Sequence, residues 1–299
     1  MSKALAQACS RCRRECREAE LVCGLCGNLL RREPIAAVAS TPATPRPGPA
    51  AAPVATLAHR ASRERWEPWI YLGLGALTAP VFALTPILGY MGWFLASLVH
   101  EMGHAGIAWL CGMPSFPAIS LDGHAAAMHG DQSKLLVICI ALTLAFFAWQ
   151  KFGGWLRWAG LACAGCAYPV FAFSDFSEIA HLLGGHGGEL LFATLALWKC
   201  LDGGFTNSRL ERLLYGTVGW FLIARNLWLC WGLMMSRSAR AHYHSNGSFG
   251  LTNDYIRVAE DQLNWRLESV ALLMLLAALL VLPAALGLAR LSRGIRGGA

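Results

Sequence analysis

The chain contains uncharged stretches that are too long for helices half exposed to water. No Asp, Glu, Lys or Arg occurs between Glu67 and Glu101, and residues 102–121 continue without one. At about 20 residues per transmembrane helix, this stretch is long enough for two spans. Further apolar stretches lie at about residues 135–149, 155–174, 179–198, 213–235 and 268–289. A chain that is 56% hydrophobic and only 14% charged therefore has the composition of a polytopic membrane protein, and neither a disordered protein nor an ordinary soluble enzyme fits it.

We expect an all-α polytopic membrane protein with six or seven transmembrane helices. Seven crossings would put the arginines of the C-terminal tail and the basic N-terminus on different sides of the membrane, against the positive-inside trend. Six crossings keep both ends in the cytoplasm if the glycine-interrupted stretch at 179–198 enters the membrane without crossing it. The prediction is an integral protein of a bacterial cytoplasmic membrane, in contact with the lipid bilayer.

The first 33 residues predict a separate zinc-binding unit. They contain two CxxC pairs with ten residues between them, a spacing that lets four thiolates surround one tetrahedral zinc: Cys9, Cys12, Cys23 and Cys26. So short a segment needs the metal to supply its folding free energy. A disulfide pair and a fortuitous cysteine cluster are the alternatives, and Cys16 is a competing ligand. The pattern resembles a small zinc ribbon, which we expect to face the cytoplasm and to recruit a protein partner.

A spacer separates this ribbon from the membrane domain. Residues 34–58 contain six prolines and no aromatic residue, so they cannot form a core. The arginines that follow, with Trp66 and Trp69, are typical of a cytoplasmic membrane interface. We therefore predict a ribbon at 1–33, a linker and basic interface segment at 34–66, and a transmembrane domain at 67–299. The excess of positive charge follows from this topology, and we expect no nucleic-acid partner.

The sequence His100-Glu101-Met-Gly-His104 predicts a metal site inside an apolar stretch. Residues i and i+4 share one helix face, so both imidazoles can bind one metal with Glu101 beside its bound water. Such a metal lowers the pKa of the water, and Glu101 can act as general base and acid. Burying these side chains in a membrane is costly without a polar purpose, although a hydrogen-bonded cluster that joins helices is an alternative.

The segment Phe94-Leu-Ala-Ser-Leu-Val-His-Glu-Met-Gly-His-Ala-Gly106 resembles the first active-site helix of the intramembrane zinc metalloproteases of the site-2 protease superfamily. The resemblance covers about residues 95–190. It implies a catalytic zinc and hydrolysis of peptide bonds in or beside the transmembrane helices of membrane-protein substrates. It also implies that the third zinc ligand is an aspartate of a later segment, commonly in a Leu-Asp-Gly motif preceded by proline.

Two aspartates compete for the role of third ligand. Asp122 stands in Leu-Asp-Gly but in the loop directly after the HExxH helix, whereas Asp175 follows Tyr168-Pro169 at the end of a later helix. A later helix returns to the metal more easily, so we expect His100, His104 and Asp175 to hold the core zinc, with Asp122 in reserve. The asparagine that often precedes the proline in the family is absent, so its stabilising role cannot be carried over.

A second polar cluster follows Asp175 and has no counterpart in the basic family motif. Its members are candidates for alternative ligands, for groups that orient the zinc histidines, or for a polar path for water: His181, His186 and Glu189. A polar helix end at the membrane surface is the alternative. The polar loop at about 236–267 carries a predicted substrate-facing helix around residues 255–265. Arg225-Asn226 within a span is expected either to pair with an acidic group or to line a water-filled cavity.

Two other functions are compatible with the sequence. The paired units Glu101-x-x-His104 and Glu178-x-x-His181 suggest a membrane di-iron oxygenase or hydroxylase, although no His-His dipeptide is present. A proteolytically inactive scaffold that recruits partners through the ribbon is the third hypothesis. The zinc endopeptidase, with one catalytic zinc and one structural zinc, is the main prediction.

Overall fold

The computed structural model describes the backbone of residues 7–8, 15–16, 54–120, 125–203, 206, 208–245 and 253–297. The chain divides into two compact units, Met1–Pro53 and Val54–Ala299. In the first unit, strands β1 (Gln7–Ala8) and β2 (Glu15–Cys16) pair antiparallel, with Gln7 opposite Cys16. The predicted ribbon ligands Cys9, Cys12, Cys23 and Cys26 lie outside the described residues, as does Asp122, so the ribbon stays a prediction.

The second unit is helical apart from one hairpin. Its elements, in chain order, are α1 (Val54–Leu84), α2 (Pro86–Leu110), β3 (Ser115–Ile119), β4 (Ala125–His129), α3 (Lys134–Lys151), α4 (Gly154–Ala162), a π-helical turn (Cys163–Ala167), α5 (Tyr168–Ala172), α6 (Phe176–Asp202), α7 (Arg209–Met235), α8 (Arg237–Ser245), α9 (Asp254–Ile256), a second π-helical turn (Arg257–Gln262) and α10 (Leu267–Gly297). Helix α1 begins within the predicted linker, ahead of the boundary at 66/67.

Local sequence signals account for several helix ends. Pro86 occupies the first turn of α2, where its missing N–H costs no helical hydrogen bond. The Ser208 side chain caps α7 by accepting a hydrogen bond from the Glu211 N–H at 3.1 Å. Helix α6 ends at Gly203, whose φ of 65° is easily reached only by glycine. Pro169 supplies no N–H, and the first π-helical turn ends two residues before it, at Ala167.

Four described helices are long and apolar enough to cross a membrane: Trp66–Leu84, Lys134–Lys151, Arg209–Met235 and Leu267–Gly294. A fifth results if Gly154–Ala172 and Phe176–Asp202, bent by 88°, count as one broken span. This is fewer than the six or seven predicted. Helix α2 is not among these spans, because His100, Glu101 and His104 make it less apolar than a typical transmembrane helix.

The structure changes two details of the predicted topology. The uncharged stretch that ends at residue 121 was predicted to hold two spans, yet its second helix ends at Leu110 and residues 115–119 form a strand of the β3–β4 hairpin, in which Ser115 pairs with His129 and Ile119 with Ala125. The stretch 179–198 was expected to break at its glycines, yet α6 runs through them as one helix. The sharp bend lies before it, at residues 173–175, and the packing of α6 against α2, α7 and α10 offsets the low helix propensity of glycine.

Helices α6, α7 and α10 form the core of the unit, and α2 packs on α6. The core includes aliphatic side chains that are almost fully buried: Leu182, Leu197, Leu222, Leu233 and Val270. Side chains on the outer surface are also apolar, and Trp228 is 82% exposed. A surface of this kind suits a lipid environment, because apolar side chains that contact lipid are not exposed to water.

Glycines set the close approach of α2 to α6. A Cβ atom added at Gly103 would overlap the Gly184 carbonyl oxygen, and one added at Gly188 would lie 2.7 Å from the Gly103 Cα. Gly106, one turn further along α2, has no neighbour within 4 Å of such an added atom. Small residues therefore allow the two backbones to touch at the level of the HExxH segment.

Replacing Gly103 by alanine tests this contact. Gly103→Ala forces backbone atoms of α2 and α6 apart, and we expect it to lower the free energy of unfolding by about 1–3 kcal/mol. The matched Gly106→Ala adds its methyl group to open space and removes a glycine from a helix, so stability should stay equal or rise by up to about 1 kcal/mol. Thermal unfolding of the detergent-solubilised chain measures both. Equal unfolding midpoints for the two variants would contradict the close contact.

Candidate metal centre

Helix α2 places the imidazoles of His100 and His104 side by side. They are one turn apart on the same face, and their ring centroids are separated by 4.7 Å. The two Nε2 atoms lie 3.1 Å from each other. The helix therefore presents two ring nitrogens at the separation expected for ligands of one metal.

Asp254, at the start of α9, completes a triangle with the two imidazoles. Its Oδ2 lies 3.2 Å from the His100 Nε2 and 3.2 Å from the His104 Nε2. Nitrogen and oxygen ligands about 2.0–2.1 Å from a tetrahedral zinc lie about 3.3–3.4 Å from one another. The three edges thus match one face of a zinc coordination tetrahedron to within a few tenths of an ångström. The fourth position would be left for water or substrate.

Hydrogen bonds on the far side of each ring fix which nitrogen carries the proton. The His100 Nδ1 lies 2.9 Å from the Glu189 Oε1, and the His104 Nδ1 lies 2.7 Å from the His181 carbonyl oxygen. Both partners are acceptors, so each Nδ1 is a donor and each neutral ring presents a bare Nε2 lone pair. Without a cation between them, these lone pairs and the ionised carboxylate would repel one another. A divalent cation satisfies all three atoms at once.

Glu189 is held in place by helix α7. Its side chain is fully buried, and its Oε2 accepts a hydrogen bond of 2.8 Å from the Asn226 Nδ2. Asn226 donates also to the Leu222 carbonyl oxygen at 3.0 Å, and its Oδ1 lies 3.1 Å from the His186 Nδ1. This network joins α2, α6 and α7 and fixes the orientation of the His100 ring. The prediction that the polar pair at 225–226 contacts an acidic group is met by Asn226.

Asp254 is placed by the short segment between α8 and α10. The next residue, Tyr255, is fully buried, and its ring centroid lies 4.4 Å from that of His186. The side chain of Asn253 donates a hydrogen bond to the Tyr243 carbonyl oxygen. Burial by itself raises the pKa of Asp254, but the two imidazoles outweigh it and hold the pKa well below its usual range, so the carboxyl is ionised near neutral pH.

The ligand triangle lies in the wall of a cavity of about 420 Å³. Glu101, only 8% exposed, lines the same cavity together with Ala127 of β4. The remaining walls come from β4, α6 and the segment around Asp254, with His129, His181, Leu182 and Arg257 among the lining residues. A carboxylate beside three metal-ligand atoms, in an accessible cavity, is the arrangement that metal-assisted hydrolysis needs.

The structure does not bring the predicted third ligand to this site. Asp175 is exposed at the start of α6, and neither of the two potential metal-binding groups among the described residues contains it. One group is His100, His104 and Asp254; the other is His100, His186 and Glu189. In the second group, Glu189 and His186 are already engaged with Asn226, so they orient His100, and the first group fits a metal better. His181 lines the cavity and belongs to neither group.

Sequence reasoning missed Asp254. It lies in the polar loop that was predicted to carry a substrate-facing helix, and the structure indeed has helical turns there, at Asp254–Ile256 and Arg257–Gln262. The only local signal is an Asn-Asp pair directly before two apolar residues, Tyr255 and Ile256. No spacing rule links it to His104, which is 150 residues away.

Replacing each of the two aspartates by asparagine shows which of them is the third zinc ligand. We expect Asp254→Asn to lose about one zinc per full-length chain, because an amide is a much weaker ligand than a carboxylate. Asp175→Asn, the matched change at the exposed site, should keep the wild-type zinc content. Inductively coupled plasma mass spectrometry of the purified chains measures both. Loss of zinc from Asp175→Asn alone would restore the sequence-based assignment, and no zinc beyond the ribbon in the native chain would indicate a hydrogen-bonded cluster.

Two neighbouring glycines of α6 offer an independent test of the metal position. A Cβ atom at Gly185 would overlap the Nε2 atoms of both His100 and His104, where a metal would bind, whereas one at Gly187 meets nothing within 4 Å. Gly185→Ala should therefore lose about one zinc per chain, and Gly187→Ala should lose none. Metal analysis combined with circular dichroism shows whether the helices persist in both variants. Full zinc retention in Gly185→Ala would place the metal elsewhere.

Comparisons of the chain with known protein families, with curated proteins and with solved structures find no match.

Proposed function

We propose that the chain is a membrane-embedded zinc endopeptidase that hydrolyses peptide bonds in or near transmembrane segments of its substrates. The observation that supports this most strongly is the position of Glu101 beside the triangle of His100, His104 and Asp254, in one cavity of a chain with several apolar helices. The proposal assigns the third zinc ligand to Asp254. The cysteine pairs at 1–33 would hold a second, structural zinc and recruit a protein partner.

The donor set favours zinc. Two imidazole nitrogens and one carboxylate oxygen, with an open fourth position, form a ligand set typical of hydrolytic zinc sites. Bound there, the metal would supply Lewis acidity that lowers the pKa of a coordinated water and polarises a substrate carbonyl group. The chain's own residues provide the remaining parts of the reaction.

Glu101 is the proton carrier in this proposal. Its carboxylate takes a proton from the attacking water, whose oxygen forms a bond to the carbonyl carbon of the substrate. The same carboxyl group then returns the proton to the amide nitrogen as the C–N bond breaks. The products are a carboxylate and an amine.

Strand β4 offers a binding edge for an extended peptide. It pairs with β3 along one edge, and its other edge has no strand partner among the described residues. The cavity wall there consists of small side chains, Ala125, Ala126 and Ala127, which let a second backbone approach. A peptide bond inside a helix is poorly accessible to attack, so a substrate must present an extended segment, and a strand edge can stabilise one.

The alternative functions gain no specific support. The oxygenase hypothesis needs Glu178 and His181 to join Glu101 and His104 at two irons. In the structure Glu178 is half exposed, and its Oε1 lies 3.5 Å from an Arg257 nitrogen. The scaffold hypothesis predicts a metal site without turnover, and it is separated from the endopeptidase by the next experiment.

Glu101→Gln tests the proposed function directly. The variant keeps the size of the side chain but cannot take up the proton, so cleavage of a tagged transmembrane substrate in proteoliposomes should fall by a factor of about 10²–10⁴. Zinc content should stay at the native value, because Glu101 is not among the ligand atoms. Glu178→Gln makes the same change outside the ligand groups and should cleave at the native rate. Equal cleavage by the native chain and Glu101→Gln, or two irons per chain, would contradict the proposal.

A further inference from the structure

His181 lies next to the candidate metal centre without belonging to it. Its backbone carbonyl oxygen accepts the hydrogen bond from His104 Nδ1, at 2.7 Å, and its ring centroid is 5.2 Å from that of His104. The side chain lines the 420 Å³ cavity together with Glu101. None of the potential metal-ligand groups among the described residues includes it. His181 is thus close enough to meet whatever binds the metal from the cavity side.

The Nδ1 atom of His181 differs in its hydrogen bonding from the Nδ1 atoms of the two ligand histidines. Its Nδ1 atom is buried and has no hydrogen-bond partner, whereas the Nδ1 atoms of His100 and His104 each face an acceptor. A buried N–H without an acceptor is costly, so a neutral ring places its single proton on Nε2. The Nε2 atom is then left to present an N–H to the cavity.

Two of the other side-chain donors in the cavity wall already contact protein groups, and a third lies at the exposed end of a strand. The Asn253 amide donates to the Tyr243 carbonyl oxygen, and a guanidinium nitrogen of Arg257 lies 3.5 Å from the Glu178 carboxylate. His129 sits at the exposed end of β4, with its ring centroid 5.3 Å from that of His181. His181 lies beside the ligand histidine His104 and lines the described cavity, and because its buried Nδ1 has no partner, the proton of the neutral ring belongs on Nε2, where a bound substrate can accept it.

We propose that His181 is a further catalytic residue, whose Nε2–H stabilises the negative charge that develops on the scissile carbonyl oxygen; this inference rests on the endopeptidase function proposed above. As water adds to the carbonyl carbon, the C=O π electrons move onto the oxygen, and a donor placed at that oxygen strengthens its hydrogen bond as the charge grows. No proton is transferred to the oxygen. When the C–N bond breaks, the electron pair returns to re-form the carbonyl group.

A small tetrahedral anion tests the donor without requiring turnover. The probe is N-phosphoryl-leucine amide, whose phosphoryl oxygens reproduce the charge and shape of the reacting centre. Isothermal titration calorimetry measures its binding to the full-length, zinc-loaded chain in detergent. We expect His181→Phe, which keeps a ring but removes both nitrogens, to weaken binding at least about 10-fold. His181→Gln, which restores an N–H at similar reach, should recover part of the loss.

Two controls separate this role from a structural one. Zinc content should be equal in the native chain, His181→Phe and His181→Gln, because His181 is not a ligand. The same substitution at an exposed histidine of α8, His244→Phe, should change neither zinc content nor probe affinity. With a peptide substrate, His181→Phe should lower kcat by about 100-fold and leave KM within a few-fold.

The outcomes distinguish the two proposals. If the native chain holds zinc and binds the probe but cleaves no peptide, the endopeptidase function fails, and the loss of probe affinity in His181→Phe still supports the donor. Equal probe affinity in the native chain and His181→Phe would overturn the inference. So would loss of zinc from His181→Phe, which would make His181 structural, and so would absence of probe binding to the zinc-loaded native chain.

Discussion

The contact between α2 and α6 is the constraint on which the candidate site depends. Glycines on both helices bring the backbones together, and only at this distance can a ring nitrogen of His104 reach the His181 carbonyl oxygen. The same approach brings His100 within hydrogen-bonding distance of Glu189. The glycines are therefore as important to the site as the ligands, because any larger residue at the contact would separate each imidazole from the acceptor that orients it.

The buried polar groups form a connected chain inside an apolar bundle. From Asn226 on α7 it passes through Glu189 on α6 to His100 on α2, and then across the ligand triangle to Asp254. Such groups are stabilising only when each finds a partner, since an isolated buried carboxylate or amide is expensive in a low-dielectric interior. The chain of contacts satisfies them with donors and acceptors from four separate elements, so it also fixes how those elements pack.

The sequence predicts the local part of this arrangement and not the distant part. The spacing of His100 and His104 determines their common helix face, and apolar stretches identify the long helices, because both signals depend on residues close together in the chain. Asp254 depends on how a short segment folds back between two helices, and no local pattern encodes that. Asp175 was chosen by a family resemblance and a proline signal; the bend at residues 173–175 leaves it exposed instead. The glycines of α6, interpreted as a break, serve packing.

The position of Asp254 in the chain also affects how the site is made during synthesis. Both histidines emerge from the ribosome with the second helix, whereas the carboxylate that completes the triangle follows His104 by 150 residues. While α3 to α7 are being synthesised, the nascent protein carries only two of the three proposed ligands, a pair that would hold a divalent ion weakly. The third proposed ligand emerges only after α7, so tight capture of the proposed metal would be deferred until most of the bundle has been made. A chain that stops before α9 carries the HExxH segment but lacks the carboxylate that completes the candidate site.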